Sequence, residues 1–136
     1  MIIDTSALIA VLTGEDGSDA LVEAIVMERG GIPAPAVVEF VRVASNKRFG
    51  LREKAEEMLA NFERRGSVKI PFTPDHANMA IAAEPRYGSG NGSGGVLNLL
   101  DLMVYAVAKE RGEALLCTGK DFATTDIVIH AASRPY

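Results

Sequence analysis

The fold is decided in residues 1–14, which read MIIDTSALIAVLTG. Residues 1–3 form a short apolar run, which predicts a buried strand that ends at Asp4. The two residues that follow Asp4 carry hydroxyl groups and can cap a helix through residues 7–12, which is expected to stop near Gly14. The chain therefore opens with a strand that passes directly into a helix, and a carboxylate stands at the junction.

Strand-like and helix-like segments alternate along the rest of the chain. Apolar residues at helical spacing predict helices over residues 15–29, 35–49, 51–65, 74–87 and 98–112. Short apolar runs predict strands at residues 32–34, 67–72, 114–117 and 127–129. Sequential strand–helix units favour a parallel sheet with right-handed crossovers. We therefore expect one α/β domain over residues 1–136, with a short parallel sheet covered by helices on both sides.

The composition is that of an ordinary globular protein, with 48% hydrophobic and 24% charged residues. No apolar stretch approaches the roughly 20 residues that span a bilayer, and the N-terminal segment lacks the basic start of a signal peptide. The single cysteine, Cys117, excludes an internal disulfide and suits a reducing compartment. These features predict a cytoplasmic protein without a membrane partner.

The net charge of −4 is unusual for a nucleic-acid-binding module, which is normally basic on at least one face. An acidic metal site would itself contribute negative charge, however, and bound divalent cations would offset it. The local pattern of basic residues therefore matters more than the sum. Taken alone, that pattern indicates a solvated helical face. It comprises Arg42, Lys47, Arg48, Arg52, Lys54, Arg64 and Arg65.

Four acidic residues stand out because their neighbours are apolar: Asp4, Glu39, Asp101 and Asp121. Each has a structural explanation. The first could cap the helix that follows it, and the second could pair with Arg42 three residues on. The third could complete a capping box with Asn98, and the fourth could cap the turn that begins at Phe122.

Considered together, the four carboxylates indicate a metal site. Three of them lie at predicted strand ends or helix starts, which share one edge of a parallel sheet. An unpaired buried carboxylate costs several kcal/mol, so a cluster of them normally needs a cation. Mg²⁺ prefers oxygen ligands and keeps several waters, and a metal-bound water can attack a phosphodiester. The cluster therefore predicts a metal-dependent nuclease.

The chain resembles the PIN-domain ribonucleases, and in particular the VapC-type toxins of bacterial type II toxin–antitoxin systems. The resemblance rests on an ordered set of segments that spans the whole chain. These segments are IIDTSA at residues 2–7, Glu39 within AVVEFV, LNLLD at residues 97–101 followed by YAVAK, LLCTGKDF at residues 115–122, and TDI at residues 125–127.

The resemblance implies a PIN-like three-layer α/β/α fold with a central parallel sheet of about five strands. It also implies an endoribonuclease that uses Mg²⁺ or Mn²⁺ to cleave single-stranded or structured RNA. It further implies a homodimer, which is inhibited by an antitoxin whose C-terminal segment enters the active-site groove. The four acidic residues above match the family's metal site. Asp126 matches a more variable acidic position, and Thr5 or Thr118 would orient a ligand or a water.

Two positions depart from the family pattern. Leu100 stands where a glycine commonly precedes the third acidic residue, which predicts a shift of Asp101 at the start of its helix. The loop at residues 88–95 contains no Lys, Arg or His, whereas relatives often have a basic loop there. Arg86 and Lys120 are the nearest remaining cations for RNA.

Two other functions remain open from the residues. A Mg²⁺-dependent phosphatase could use Asp4 as its nucleophile, although Ser6 stands where such enzymes usually place a second aspartate. A non-catalytic PIN-like module could bind RNA or protein only. The glycine-rich segment at residues 88–95 lacks the Gly-Lys-Ser/Thr ending of a phosphate-binding loop. His76 and His130 are expected at the surface, and Cys117 is expected to be a small buried hydrophobe.

Overall fold

The computed structural model describes residues 1–134. Within these residues there are four strands of two residues each and six helices, with two helices between successive strands. In chain order they are β1 (Ile2–Ile3), α1 (Thr5–Thr13), α2 (Ser18–Glu28), β2 (Ile32–Pro33), α3 (Ala34–Ala44), α4 (Arg52–Arg64), β3 (Lys69–Ile70), α5 (Pro74–Tyr87), α6 (Leu99–Arg111) and β4 (Leu115–Leu116).

All strand pairs are parallel, as the alternation predicts. β1 pairs with β4, and β2 pairs with β3. A bridge between Ile2 and Gly31 joins the two pairs, and a bridge between Leu115 and Ile129 adds a fifth segment beside β4. The spatial order is therefore β3, β2, β1, β4 and the segment at Ile129, which confirms an α/β fold with a short central sheet of about five strands. The predicted strand at residues 127–129 is reduced to this single bridge.

The helices begin and end at residues that the sequence marks. Asp4 is the N-cap of α1, and Gly14 ends that helix in a left-handed conformation with φ of 67°. Thr73 and His76 form a capping box at the start of α5. Because α2 begins at Ser18, the predicted helix from residue 15 is too long at its N-terminal end.

The core lies between the sheet and the helices. β1 and β4 are wholly buried, as expected for a central parallel sheet. Phe40 on α3 and Leu8 on α1 are among the largest fully buried side chains. Helix α5 packs against α6, while α1 contacts α2 and α3. None of the helices within residues 1–134 has the length and hydrophobicity needed to cross a membrane.

The prediction that His76 lies at the surface is wrong. Its side chain is buried, and it links the start of α5 to the end of α6. Nδ1 accepts a hydrogen bond from the backbone N–H of Thr73 at 3.0 Å, and Nε2 lies 3.1 Å from the carboxylate of Glu110. His130 is half-buried and contacts Glu28 at 2.8 Å. Cys117 is 2% exposed, which confirms that it is a small buried hydrophobe.

Candidate metal-binding active site

Asp4 lies where β1 passes into α1, and its side chain is fixed by the start of the helix. Its Oδ2 accepts hydrogen bonds from the backbone N–H of Ser6 at 2.9 Å and from the Ser6 hydroxyl at 2.5 Å. Burial raises the pKa of Asp4, the two bonds from Ser6 oppose that rise, and the charge of Glu39 adds to it. Asp4 is thus a helix cap, as one explanation predicted, and also a buried carboxylate near a second one.

Glu39 projects from α3 toward α1. The Thr5 hydroxyl donates to Glu39 Oε2 at 2.8 Å and makes a longer contact of 3.4 Å with the carbonyl oxygen of Ala36. Thr5 therefore orients the carboxylate of Glu39. It also connects α3, which carries Glu39, to the start of α1, which Asp4 caps. Within the part of the chain that the structure describes, no ion pair forms between Glu39 and Arg42, so that explanation for Glu39 is wrong.

Asp101 occupies the third position of α6, one turn into the helix. Its backbone N–H donates to Asn98 Oδ1 at 2.9 Å, and its Oδ2 accepts from the backbone N–H of Asn98 at 3.0 Å. The capping box predicted from this spacing is therefore present, with Leu100 inside the first turn. The pKa of Asp101 is raised to about 6, first by burial and then by the charges of Asp4, Asp121 and Glu39, while the hydrogen bond from Asn98 opposes the rise.

Asp121 lies on an exposed turn after β4. Its neighbour Phe122 is buried, so the turn is held against the core while the carboxylate faces outward. The charge of Asp121 contributes to the raised pKa values of both Asp101 and Cys117. The turn explanation for Asp121 is therefore compatible with a position near the other carboxylates.

The structure brings the four predicted carboxylates into one electrostatic neighbourhood. Glu39 acts on Asp4, and Asp4, Asp121 and Glu39 all act on Asp101. The groups come from the carboxyl ends of β1 and β4, the start of α6 and the middle of α3. Sites in parallel sheets form at this edge. Despite Leu100, Asp101 lies within electrostatic reach of the other three.

The donor set fits a hard divalent cation. All four side chains offer oxygen, and the hydrogen bonds above occupy Oδ2 of Asp4, Oε2 of Glu39 and Oδ2 of Asp101. The nearby Cys117 is unsuited as a ligand, because burial and then the charge of Asp4 raise the pKa of its thiol to about 11. Across residues 1–134, no three Asp, Glu, His or Cys side chains form a ready-made metal cage. An open arrangement agrees with Mg²⁺, which is held by one or two carboxylates and keeps several waters.

Ser6 links two segments of the candidate site, a role that its place in the sequence did not predict. Its hydroxyl donates to Asp4 and accepts a hydrogen bond from the backbone N–H of Thr118 at 3.0 Å. It therefore connects the β1–α1 junction to the loop after β4. The signal in the sequence was a serine two residues after a carboxylate at a helix start, where its side chain turns back toward the cap. Thr118 contributes its backbone N–H to this connection.

Asp126 lies beside α6, and its side-chain hydrogen bonds are to residues of that helix and not to the four carboxylates. Its Oδ1 accepts a hydrogen bond from the Tyr105 hydroxyl at 2.7 Å, and its Oδ2 accepts one from Lys109 Nζ at 2.6 Å. These two bonds lower the pKa of Asp126, the bond from Lys109 more strongly. Asp126 is thus a paired carboxylate.

Two cavities adjoin helix α3. One of about 350 Å³ opens beside Glu39 and is lined by Val38, Arg42 and residues 98–100. A larger one of about 670 Å³ lies between α3 and α4 and contains none of the four carboxylates. The smaller cavity is therefore the one that adjoins the candidate site.

The chain matches the PIN domain family over residues 1–128. Ribonuclease VapC42 of Mycobacterium tuberculosis is 35% identical over 129 residues, which are 93% of this chain and 96% of that protein. Ribonuclease VapC of Mycolicibacterium smegmatis is 35% identical over 128 residues, which are 93% of this chain and 97% of that protein.

Solved structures share the fold at low sequence identity. Mycobacterium tuberculosis VapC20, described as a sarcin–ricin loop cleaving toxin, has a TM-score of 0.71 at 14% identity and covers 93% of this chain and 95% of its own. A toxin–antitoxin complex from Klebsiella pneumoniae has a TM-score of 0.70 at 20% identity and covers 95% of both chains. PIN-domain ribonucleases of the VapC type generally depend on a divalent metal, and the oxygen donors described above suit one. The chain belongs to the PIN-domain family and, within it, to the VapC ribonucleases.

Proposed function

We propose that this protein is a Mg²⁺- or Mn²⁺-dependent endoribonuclease and the toxin of a bacterial toxin–antitoxin pair. Its VapC relatives, 35% identical over 93% of the chain, are named ribonucleases, which supports RNA as the substrate. The observation that carries the proposal is the shared electrostatics of Asp4, Glu39, Asp101 and Asp121 at the carboxyl edge of the sheet. Such a cluster of like charges is unfavourable without a cation.

In this proposal Asp4 and Asp101 hold the ion directly, and Glu39 and Asp121 bind it or position water and a second ion. The chemistry that a bound Mg²⁺ or Mn²⁺ supplies is activation of water and neutralisation of charge on the phosphodiester. Ser6 holds Asp4 in place, and Thr5 holds Glu39. In-line attack by water is expected to leave a 5′-phosphate on one product and a 3′-hydroxyl on the other.

RNA would approach across a surface with few cations. The loop at residues 88–95 carries none, so we expect phosphates to be contacted by Arg42 beside the cavity at Glu39, Arg86 at the end of α5, and Lys120 next to Asp121. With so few contacts, substrate affinity is expected to depend on the bound metal and to fall only modestly with added salt.

The proposed partners are a cognate antitoxin and a second copy of the chain. The structure from Rickettsia felis, VapBC2 bound to a promoter DNA fragment, and the complex from Klebsiella pneumoniae contain toxin and antitoxin together. By analogy, an antitoxin segment would enter the groove at the carboxylates of this chain. We also propose that the protein acts in the cytoplasm, where a bacterial RNA substrate would be met.

The test is cleavage of a labelled single-stranded RNA by purified protein, with Mg²⁺ or with EDTA. Asp4→Asn and Asp101→Asn are expected to lose cleavage while keeping the native circular dichroism spectrum. Thr13→Ala on the exposed end of α1 is the matched control and is expected to retain full activity. Cleavage by a folded Asp4→Asn protein, or cleavage in EDTA, would refute the proposal.

The same preparations distinguish the two other functions. Tight RNA binding without metal-dependent cleavage would support a binding module. A stable aspartyl-phosphate formed from phosphate esters would support a phosphatase that uses Asp4. The phosphatase has no contact in its favour, because the Asp4 carboxylate is buried and its Oδ2 accepts two hydrogen bonds from Ser6.

A further inference from the structure

The loop of residues 118–127 carries Asp121 and is fastened at both ends. At its start, the backbone N–H of Thr118 donates to the Ser6 hydroxyl, which in turn holds Asp4. In its middle, the Thr125 hydroxyl donates to the carbonyl oxygen of Phe122 at 2.7 Å. The bond between Thr118 and Ser6 is the first attachment, and it ties the loop to the junction that carries Asp4.

The second attachment is made by Asp126 at the other end of the loop. Both of its carboxylate oxygens are occupied, Oδ1 by the Tyr105 hydroxyl and Oδ2 by Lys109 Nζ. The Tyr105 side chain is buried and packs against the ring of Tyr87 at 5.5 Å between centroids. The Tyr105 hydroxyl, which is one of the two donors to Asp126, is therefore held in place by the packing of α5 against α6. We call Asp126, Tyr105 and Lys109 the Asp126 clamp.

The Asp126 clamp acts on the same helix that carries Asp101. Tyr105 lies four residues after Asp101 on α6, and Lys109 lies four residues further, so all three share one face of the helix. The loop is thus attached to α6 within about two turns of Asp101. Asp121 stands five residues before Asp126 in the same loop.

Asp101 and Asp121 are both carboxylates of the proposed metal site, and like charges held close together repel. Without an attachment between their elements, an exposed turn would relieve this repulsion by moving Asp121 away. We propose that Asp126 is a positioning residue, which through Tyr105 and Lys109 holds the Asp121 loop against α6 and so keeps Asp121 near Asp101. In this proposal Asp126 acts through the loop and not as a ligand, and each of its oxygens already accepts a hydrogen bond from a side chain of α6.

The inference rests on the proposed function for its meaning, and its test separates the two. The double variant Tyr105→Phe/Lys109→Met removes both donors but leaves the carboxylate of Asp126 intact. Partners that orient metal ligands typically contribute about 10- to 100-fold in metal affinity, so Mg²⁺ affinity measured by calorimetry is expected to fall at least about tenfold. Amide hydrogen exchange in residues 119–127 is expected to accelerate in metal-free protein, while exchange in α3 and α4 stays unchanged.

The matched control is Glu63→Ala, which removes the exposed ion pair with Lys69 at 2.9 Å, away from the site. It is expected to change neither Mg²⁺ affinity nor loop exchange. Asp126→Ala is expected to match the double variant in both measurements. Should the double variant fail to fold, Tyr105→Phe alone, which removes one hydroxyl, is expected to give the same changes at smaller size.

Wild-type Mg²⁺ affinity in the folded double variant would overturn the inference, whether or not loop exchange changes. A much larger loss of affinity in Asp126→Ala than in the double variant would also overturn it, because Asp126 would then be a ligand. If the wild-type protein cleaves no RNA, the proposed function fails. The clamp is then judged by loop exchange and Mg²⁺ affinity, neither of which needs RNA.

Discussion

Asp4 and Asp121 are both carboxylates that follow a central strand, yet they are held in opposite ways. Asp4 follows β1, is 5% exposed and receives two hydrogen bonds from Ser6, two residues away. Asp121 follows β4 on an exposed turn, and its loop is held by contacts from Ser6 at one end and α6 at the other.

The difference shows two ways to place a charge near other charges. A helix start supplies backbone N–H groups that stabilise a buried carboxylate locally, so Asp4 needs no distant support. A turn supplies no such dipole, and so the position of Asp121 depends on long-range attachments. Substitutions at the β1–α1 junction are therefore expected to have larger and more local effects than substitutions in the loop.

The largest expected effect is that of Asp4→Asn compared with Asp121→Asn. Loss of Asp4, the buried proposed ligand, is expected to lower the cleavage rate at least about 100-fold, whereas loss of the exposed Asp121 lowers it about tenfold. Single-turnover cleavage of a labelled RNA at saturating Mg²⁺ measures both. Equal losses in the two variants would remove the distinction between the regions.

Ser6→Ala tests the local support of Asp4. It removes the hydroxyl that donates to Asp4 and leaves the Thr118 N–H without its acceptor, which is expected to lower the free energy of unfolding by about 1–3 kcal/mol and activity about tenfold. Thr13→Ala, which removes a hydroxyl from the exposed end of the same helix, is the control and is expected to change neither by a comparable amount. Chemical denaturation and the cleavage assay provide the measurements. An unchanged activity in Ser6→Ala would show that the Ser6 hydroxyl is not needed to position Asp4.

The pH dependence of stability tests the burial and the mutual proximity of these carboxylates. Burial, and then the charges of Asp4, Asp121 and Glu39, raise the pKa of Asp101 to about 6, while an unfolded aspartate titrates near about 4. The folded state thus binds this proton more tightly than the unfolded state does. The metal-free protein therefore becomes less stable as pH rises from about 4 to about 6. The pKa of Asp4 is shifted in the same direction.

Thermal unfolding in EDTA is therefore expected to occur a few degrees higher at about pH 5 than at about pH 7.5. Added Mg²⁺ should raise the midpoint more at the higher pH, since it binds the ionised carboxylates. Asp101→Asn removes one of the titrating charges and is expected to flatten the pH dependence. A metal-free midpoint that rises between these two pH values would contradict the electrostatic account.

The smallest expected effect comes from two glycines with left-handed backbones and open space around them. Gly119 in the loop has φ of 90°, and Gly14 at the end of α1 has φ of 67°. Alanine at either position is expected to lower the free energy of unfolding by about 1 kcal/mol. Only Gly119→Ala is expected to reduce cleavage as well, because strain there moves Asp121. Equal activity in the two variants would show that the loop tolerates small displacements.

Much of the architecture was predictable because local signals mark it. Asn98 and Asp101 are spaced as a capping box, and the structure contains that box. The apolar run before Asp4 predicted β1, and the alternation of strands and helices predicted the parallel pairing of the strands. The extent of the last strand was not predictable. The segment at Ile129 pairs with β4 through a bridge to Leu115, and the apolar run at residues 127–129 does not show how far that pairing extends. His76 was misplaced at the surface because its partner on α6, Glu110, is 34 residues away in the sequence.

By itself, the sequence determined that a carboxylate would end β1, that others would stand at the start of α6 and after β4, and that the residues together resemble a PIN domain. These properties depend on the order of residues and on local capping. Only the tertiary structure decided that Ser6 connects Asp4 to the loop of Asp121, that Thr5 and not Arg42 bonds Glu39, and that Asp126 is occupied by Tyr105 and Lys109. Contacts between residues far apart in the chain depend on how the elements pack, and no spacing in the sequence encodes that packing directly.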